Sequence, residues 1–231
     1  MASNKEQLEE ANVRKAPLFS ALDDASAASL RASMTPVKVS KGSTLFKEGD
    51  SGDRLYVVLD GKLKLGTAST DGRENLLSIL GPGDMFGELS LFDPGPRTST
   101  ATAVTDAKLL SLGHDKLIPW LKQNPDVALQ LLGRLAQRLR RTNEAVGDLV
   151  FSDVPGRVAK ALIDLGERFG KKTEEGLYVH HDLTQEELAQ LVGASRETVN
   201  KALADFAGRG WLKLDGRAVL ITDLERLSKR S

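Results

Sequence analysis

Residues 183–203 read LTQEELAQLVGASRETVNKAL, and the order of caps, glycine and apolar positions predicts two short helices joined by a sharp turn. Thr184 stands where a helix N-cap would, with Glu187 three residues on as its capping-box partner. Gly193 supplies the turn, and Ser195 with Thr198 after it opens a second helix. Leu188, Ala189, Leu191, Val199 and Leu203 form the apolar face between the helices, Ala189 being small enough for close approach. The start of the second helix then offers Arg196, Glu197 and Lys201 to solvent. An arginine can donate two hydrogen bonds to guanine and a glutamate can accept from the cytosine amino group, so this helix has the side chains to read the major groove of DNA. A plain hairpin with a solvated charged face would explain the charges, but not the turn, caps and reading residues together.

Around this motif the chain from Asp153 to its end reads as one domain. Asp153 caps a helix whose early residue is Pro155, and helical stretches are predicted over 155–169, 184–192 and 195–208. Tyr178 and the segment 211–221, folded about Asp215-Gly216, supply short strands. This domain carries 13 basic and 13 acidic side chains, so affinity for DNA cannot come from bulk charge. It has to come from cations near the second helix, from Ser195, Thr198 and helix N-terminal amides on phosphates, and from two copies acting together.

Immediately upstream, 126–150 contains no proline and only two glycines, and its spacing predicts one long helix. Ala128, Leu132, Leu135, Leu139, Thr142, Val146 and Leu149 alternate at separations of four and three, an a/d seam that wants a partner helix. The competing reading packs the same face on the chain's own N-terminal half. Thr142 and the adjacent Asn143 interrupt the stripe with polar groups, either to fix register or to touch a ligand.

From Val37 to Leu112 short apolar or alternating runs recur roughly every ten residues, the pattern of an antiparallel barrel or sandwich. Strands are predicted over 37–39, 44–46, 55–59, 62–65, 75–80, 100–104 and 108–112. Asp50-Ser51-Gly52, Asp60-Gly61, Asp71-Gly72, Gly81-Pro82-Gly83-Asp84 and Pro94-Gly95-Pro96 mark turns between them. Inside this half, Gly87, Glu88, Leu89 and Ser90 precede Arg97 and Thr98. A glycine before a helical turn presents amides to an anion, and Arg97 with the Thr98 hydroxyl can complete a phosphate site. Glu88 would accept from a sugar hydroxyl, which points to a nucleotide. The plainer reading is a turn with an ion pair between Glu88 and a cation such as Arg138.

Composition excludes other classes. The 231 residues contain no cysteine and three histidines, ruling out disulfides, iron–sulfur clusters and cysteine-ligated zinc and leaving little for another metal. His114, His180 and His181 are expected to be surface or structural. Basic and acidic residues balance at 32 each, and 40% hydrophobic with 28% charged residues is ordinary for a globular protein. Length and balance predict two domains. The first fifteen residues are polar and no apolar run approaches the roughly 18 residues of a bilayer span, so a cytoplasmic protein without membrane contact is expected. No nucleophile–base grouping and no Walker lysine is present, so no enzyme is expected.

The segment Gly87-Glu88-Leu89-Ser90-Leu91-Phe92 with Arg97-Thr98, the long helix with Arg138 and Thr142-Asn143, and Ser195-Arg196-Glu197-Thr198-Val199 together resemble the cyclic AMP receptor protein family of bacterial transcription regulators. Residues 71–77, 92–98, 153–159 and 182–187 are similar to its actinobacterial members in particular. The resemblance implies an α+β chain: an N-terminal cyclic-nucleotide-binding β-roll of jelly-roll type (1–124), a dimerisation helix and hinge (125–152), and a C-terminal winged helix-turn-helix (153–231). It implies that Gly87, Glu88, Leu89, Ser90, Arg97 and Thr98 hold the phosphate and ribose of cyclic AMP (cAMP), with Arg138 in support. Thr142 would contact adenine, Asn143 would do so from the partner subunit, and Leu77 and Ser78 would line the pocket. It further implies a homodimer on palindromic TGTGA-like DNA, read by Arg196 and Glu197 with Ser195, Thr198 and Lys201, and RNA polymerase as a further partner. Asn143 departs from the serine of the enteric members, as do Asn200 and Lys201 from their pattern. The competing expectations are the same fold with a vestigial or different-effector pocket and constitutive DNA binding, and a nucleotide-gated subunit using its helix pair for protein contacts.

Overall fold

Alternation of apolar side chains along Arg54–Asp60 lets one strand serve two cores at once. Leu55, Val57 and Leu59 point to one face and Tyr56 and Val58 to the other, and all five are buried. The computed structural model describes residues 4–20, 22–70, 72–93 and 95–231; Asp71 and Pro94 of the predicted turns, and the first three residues of the polar start, lie outside them.

In chain order the elements are α1 (Asn4–Lys15), α2 (Asp24–Ala32), β1 (Thr35–Val39), β2 (Thr44–Phe46), β3 (Arg54–Asp60), β4 (Leu63–Ala68), β5 (Glu74–Leu80), β6 (Met85–Phe86), α3 (Leu89–Phe92), β7 (Thr100–Ala103), β8 (Ala107–Gly113) and α4 (His114–Gln123). Then come α5 (Pro125–Phe151), α6 (Val154–Phe169), β9 (Gly170–Thr173), β10 (Gly176–His180), α7 (Gln185–Val192), α8 (Arg196–Gly208), β11 (Leu212–Asp215), β12 (Ala218–Ile221) and α9 (Leu224–Ser228). The chain divides into two compact units, residues 1–67 with 78–140 and residues 68–77 with 141–231.

The N-terminal half holds two four-stranded antiparallel sheets, ordered β1-β8-β3-β6 and β2-β7-β4-β5. In the first, β3 pairs with β8 so that Leu55 faces Leu112 and Val57 faces Leu110. Between the sheets lies a core of Tyr56, Val58, Leu63, Leu65, Phe86, Ala101 and Leu109. On the other face of β3 a second core gathers Leu55, Val57 and Leu112 with Phe19, Leu30, Leu117, Val127 and Leu131 from the helices. The long helix thus has two apolar faces. Val127 and Leu131 are buried against the first unit, whereas Leu132, Leu139, Val146 and Leu149 of the heptad seam are 56–62% exposed. The face that packs on the β domain is therefore a different one from the seam.

In the C-terminal unit, Asp153 caps α6 by accepting from the Gly156 amide at 2.9 Å, and Pro155 occupies the first turn. A four-stranded sheet ordered β11-β12-β10-β9 stands beside α6 and α8, and α7 packs on both of those helices. Val158, Leu162, Val179, Leu188, Val199, Leu203 and Phe206 are buried there, and Phe206 stacks on Trp211 with ring centroids 5.5 Å apart. Among the described residues no helix is long and apolar enough to cross a membrane.

Candidate functional site

The first candidate site is built by a turn that only glycine can make. Gly87 sits at φ +78°, and a Cβ there would come within 2.9 Å of Arg97 Nη1 and 3.1 Å of the Arg54 carbonyl. The chain then turns into the short helix α3, placing Glu88 at its start and burying Ser90 and Leu91. Glu88 is 2% exposed and Arg97 4%. Arg97 donates from Nη1 to the Gly87 carbonyl (2.9 Å) and from Nη2 to the Arg54 carbonyl (2.8 Å). Its guanidinium carbon lies 4.4 Å from the Phe46 ring centre and 5.8 Å from that of Tyr56, an aromatic floor that favours a cation. Burial draws the Arg97 guanidinium below the usual arginine value, opposed by the nearby Tyr56 and Asp53.

Glu88 Oε1 accepts from Arg138 Nη1 of α5 at 2.5 Å, so the ion pair expected as the plainer reading is present. That pair leaves work undone. Glu88 Oε2 and Arg97 Nε are both buried and have no hydrogen-bond partner among the described residues, as is true of Gln190 Oε1, Asn200 Oδ1 and Trp211 Nε1 in the C-terminal unit; here one acceptor and one donor are left for a ligand or an ordered water to satisfy. Phe46, Leu65, Gly87, Leu89, Ser90, Arg97, Thr98, Ser99 and Arg138 line a cavity of about 20 Å³ here. Of the residues expected to bind a nucleotide, Gly87, Leu89, Ser90, Arg97, Thr98 and Arg138 therefore share one cavity, Glu88 is paired to it through Arg138, and Ser78 lies on β5 in the same unit. Leu77 (52% exposed), Thr142 and Asn143 belong to the second unit, the latter two exposed on α5. Phe46 and Tyr56 were not anticipated: each looks like an ordinary strand aromatic until the fold stacks it beside Arg97.

The second candidate site is the α7–α8 pair. Thr184 Oγ1 accepts from the Glu187 amide at 3.1 Å while Glu187 Oε2 accepts from the Thr184 amide at 2.8 Å, a complete capping box. Gly193 takes the left-handed conformation (φ 63°, ψ 47°) that ends α7. Ser195 Oγ accepts from the Thr198 amide at 3.2 Å and opens α8. Leu188, Ala189, Val199 and Leu203 are buried as expected; Leu191 is only half-buried, and Val192 does the packing its place suggested. Ser195, Arg196, Glu197, Thr198 and Lys201 form an exposed row at the start of α8, where Lys201 Nζ and Glu197 Oε1 pair at 2.7 Å. Of the histidines, His181 is buried with Nδ1 accepting from the Leu183 amide at 3.1 Å, and His180 faces Asp182. No cluster of metal-ligating side chains occurs among the described residues.

Comparison with known proteins assigns both halves. Residues 36–124 match the cyclic nucleotide-binding domain and residues 156–230 the Crp-like helix-turn-helix domain. A cyclic nucleotide-binding fold joined to a helix-turn-helix defines a class of transcription regulator, not an enzyme. Over 217 residues the chain is 56% identical to the CRP-like cAMP-activated global transcriptional regulator of Mycobacterium tuberculosis, covering 94% of this chain and 97% of that one. The structure of the Thermus thermophilus catabolite activator protein is 33% identical and superposes with a TM-score of 0.55 over 93% of this chain and 98% of that one. That of the c-di-GMP-responsive global regulator of Xanthomonas campestris is 25% identical, with a TM-score of 0.74 over 86% and 99%. The chain belongs to the cyclic AMP receptor protein family of transcription regulators.

Proposed function

We propose that this protein is a cAMP-responsive regulator that binds palindromic TGTGA-like DNA as a homodimer in the cytoplasm and acts on transcription through RNA polymerase. The observation that carries the nucleotide reading is the buried unpaired couple, Glu88 Oε2 as acceptor and Arg97 Nε as donor. A cyclic nucleotide offers the complement of both, a ribose hydroxyl to donate to Glu88 and an anionic phosphate to accept from Arg97. Thr98 and the amides about Gly87, Leu89 and Ser90 supply further donors, and Arg138 holds the Glu88 carboxylate in place. The roles of Leu77, Ser78, Thr142 and Asn143 at the base rest on the family resemblance, and so do the domain limits 1–124, 125–152 and 153–231.

On the DNA side, Arg196 and Glu197 read bases while Ser195, Thr198 and Lys201 hold the backbone or flank. Two recognition helices about 34 Å apart would fit successive major grooves. The exposed seam Leu132, Leu139 and Val146 supports the dimer that such spacing requires. A second reading, the same fold serving another effector or binding DNA constitutively, draws on the smallness of the cavity and on the relative described as c-di-GMP-responsive.

The test is fluorescence anisotropy of a labelled TGTGA-N6-TCACA duplex at fixed salt, with cAMP, cyclic GMP, cyclic di-GMP or none, and with scrambled DNA. Tightening of specific binding by cAMP alone is expected. Tightening by another nucleotide, or specific binding indifferent to all of them, would favour the second reading, and the absence of specific binding would sink both.

A further inference from the structure

A charged side chain at the start of α6 belongs to neither site. Arg157, in the first turn of α6, donates from Nη1 to the Ser152 carbonyl at 2.6 Å, from Nε to the Val192 carbonyl at 2.9 Å and from Nη2 to the Gly193 carbonyl at 3.3 Å. Ser152 directly follows α5, and its amide donates to the Asp148 carbonyl of that helix. Val192 and Gly193 are the last residue and the C-cap of α7, at the turn into α8. One guanidinium thus satisfies terminal carbonyls of two helices, where main-chain acceptors lack partners and the helix dipoles favour a cation.

Two further contacts bind the same parts. Lys160 of α6 pairs with Asp148 of α5 at 2.5 Å. A Cβ on Gly193 would meet Leu149 of α5 at 3.0 Å, so glycine serves both the left-handed turn and this close approach. The two-residue break Ser152-Asp153 is bridged on both sides, and α8 begins only two residues beyond the anchored turn.

Resting on the reading of α8 as a DNA-reading helix, the geometry points to Arg157 as a positioning residue: it fastens the α7–α8 turn to the C-terminal end of α5, so that the recognition helix follows that end as one piece. A lysine keeps the charge but cannot direct a planar fork at three carbonyls.

The test uses the full-length protein, whose lack of cysteine makes labelling clean. Glu144→Cys on α5 and Ala204→Cys on α8, both exposed, take spin labels, with excess unlabelled chain added so that each measured pair is intramolecular. The parent should give one narrow distance distribution, and Arg157→Lys a broadened or split one. In parallel, unlabelled Arg157→Lys should bind cAMP as the parent does, while the ratio of specific-DNA affinities with and without cAMP falls about tenfold. A merely structural arginine would lower the thermal midpoint and weaken both DNA affinities by one factor, leaving that ratio intact. An unchanged distance distribution, or an unchanged ratio in a cAMP-responsive parent, would overturn the proposal. A parent that ignores cAMP would count against the regulatory reading of the pocket, and the distance measurement alone would then decide the role of Arg157.

Discussion

Arg97 is buried, stacked on two aromatics and held by two carbonyls, yet it retains a donor with nothing to bind. Two of its three nitrogens serve the fold and the third is unpaired, so the binding of any replacement is read beside its thermal midpoint, which reports the loss to folding. Arg97→Lys keeps the charge and loses the fork. It should weaken cAMP roughly 10- to 100-fold by calorimetry, the worth of one charge-assisted hydrogen bond, and affinity equal to that of the parent would remove Arg97 from the phosphate site. The grouping of Gly87, Glu88, Arg97 and Thr98 was legible in the sequence because a glycine turn, an acid and a cation stand close together in the chain. Phe46, Tyr56 and the Arg54 carbonyl were not, because they reach Arg97 from β2 and β3, and only strand packing brings them there.

At the scale of elements, those with strong local signals were legible: the capped pair α7–α8, the long periodic α5 and the turn-bounded strands β2, β3 and β8 all fall within one or two residues of the spans expected. The elements not foreseen are α1, α2, α4, α9 and the short strands β6 and β9. Helix α1 is polar along most of its length, and what fixes it is tertiary: Val13 enters the core and Asn12 donates to the Leu59 carbonyl at 3.0 Å. Helix α4 contains Pro119, which argues against a helix in any local reading.

Capping at α6 yields a pH prediction. The Arg230 guanidinium, and after it the Gly156 amide, hold the Asp153 carboxyl below its ordinary 3.8. A carboxyl depressed on folding adds stability above the unfolded value and gives it up as pH falls through the folded one. Thermal midpoints measured from pH 6 down to about pH 2.5 should therefore fall less steeply for Asp153→Asn, which retains a cap but does not titrate, than for the parent. Parallel curves for the two proteins would show that the carboxyl contributes nothing to the acid limb.

For the whole molecule the decisive quantity is charge. Net charge is zero for the chain and the C-terminal domain alike, so on the proposed reading one copy would hold DNA only through local cations such as Arg196 and Lys201. Binding that counts on two copies should be lost with the dimer rather than merely weakened at one contact. Leu132 and Leu139 are exposed at 61% and 62% on α5, one heptad apart and off the face that carries Val127 and Leu131 into the core. Glutamates there leave the fold of each copy intact while putting like charges across the proposed seam. The variant Leu132→Glu/Leu139→Glu should sediment near the 25.0 kDa of a single chain, with the parent at twice that mass. Its affinity for the palindrome should fall by about 10²- to 10⁴-fold as the second half-site ceases to act intramolecularly. Because half the phosphate contacts vanish with the second copy, the dependence of log affinity on log salt should drop to about half its slope. A single-chain species that kept both the affinity and the slope would mean that each copy reads DNA alone, and the seam would then need another partner.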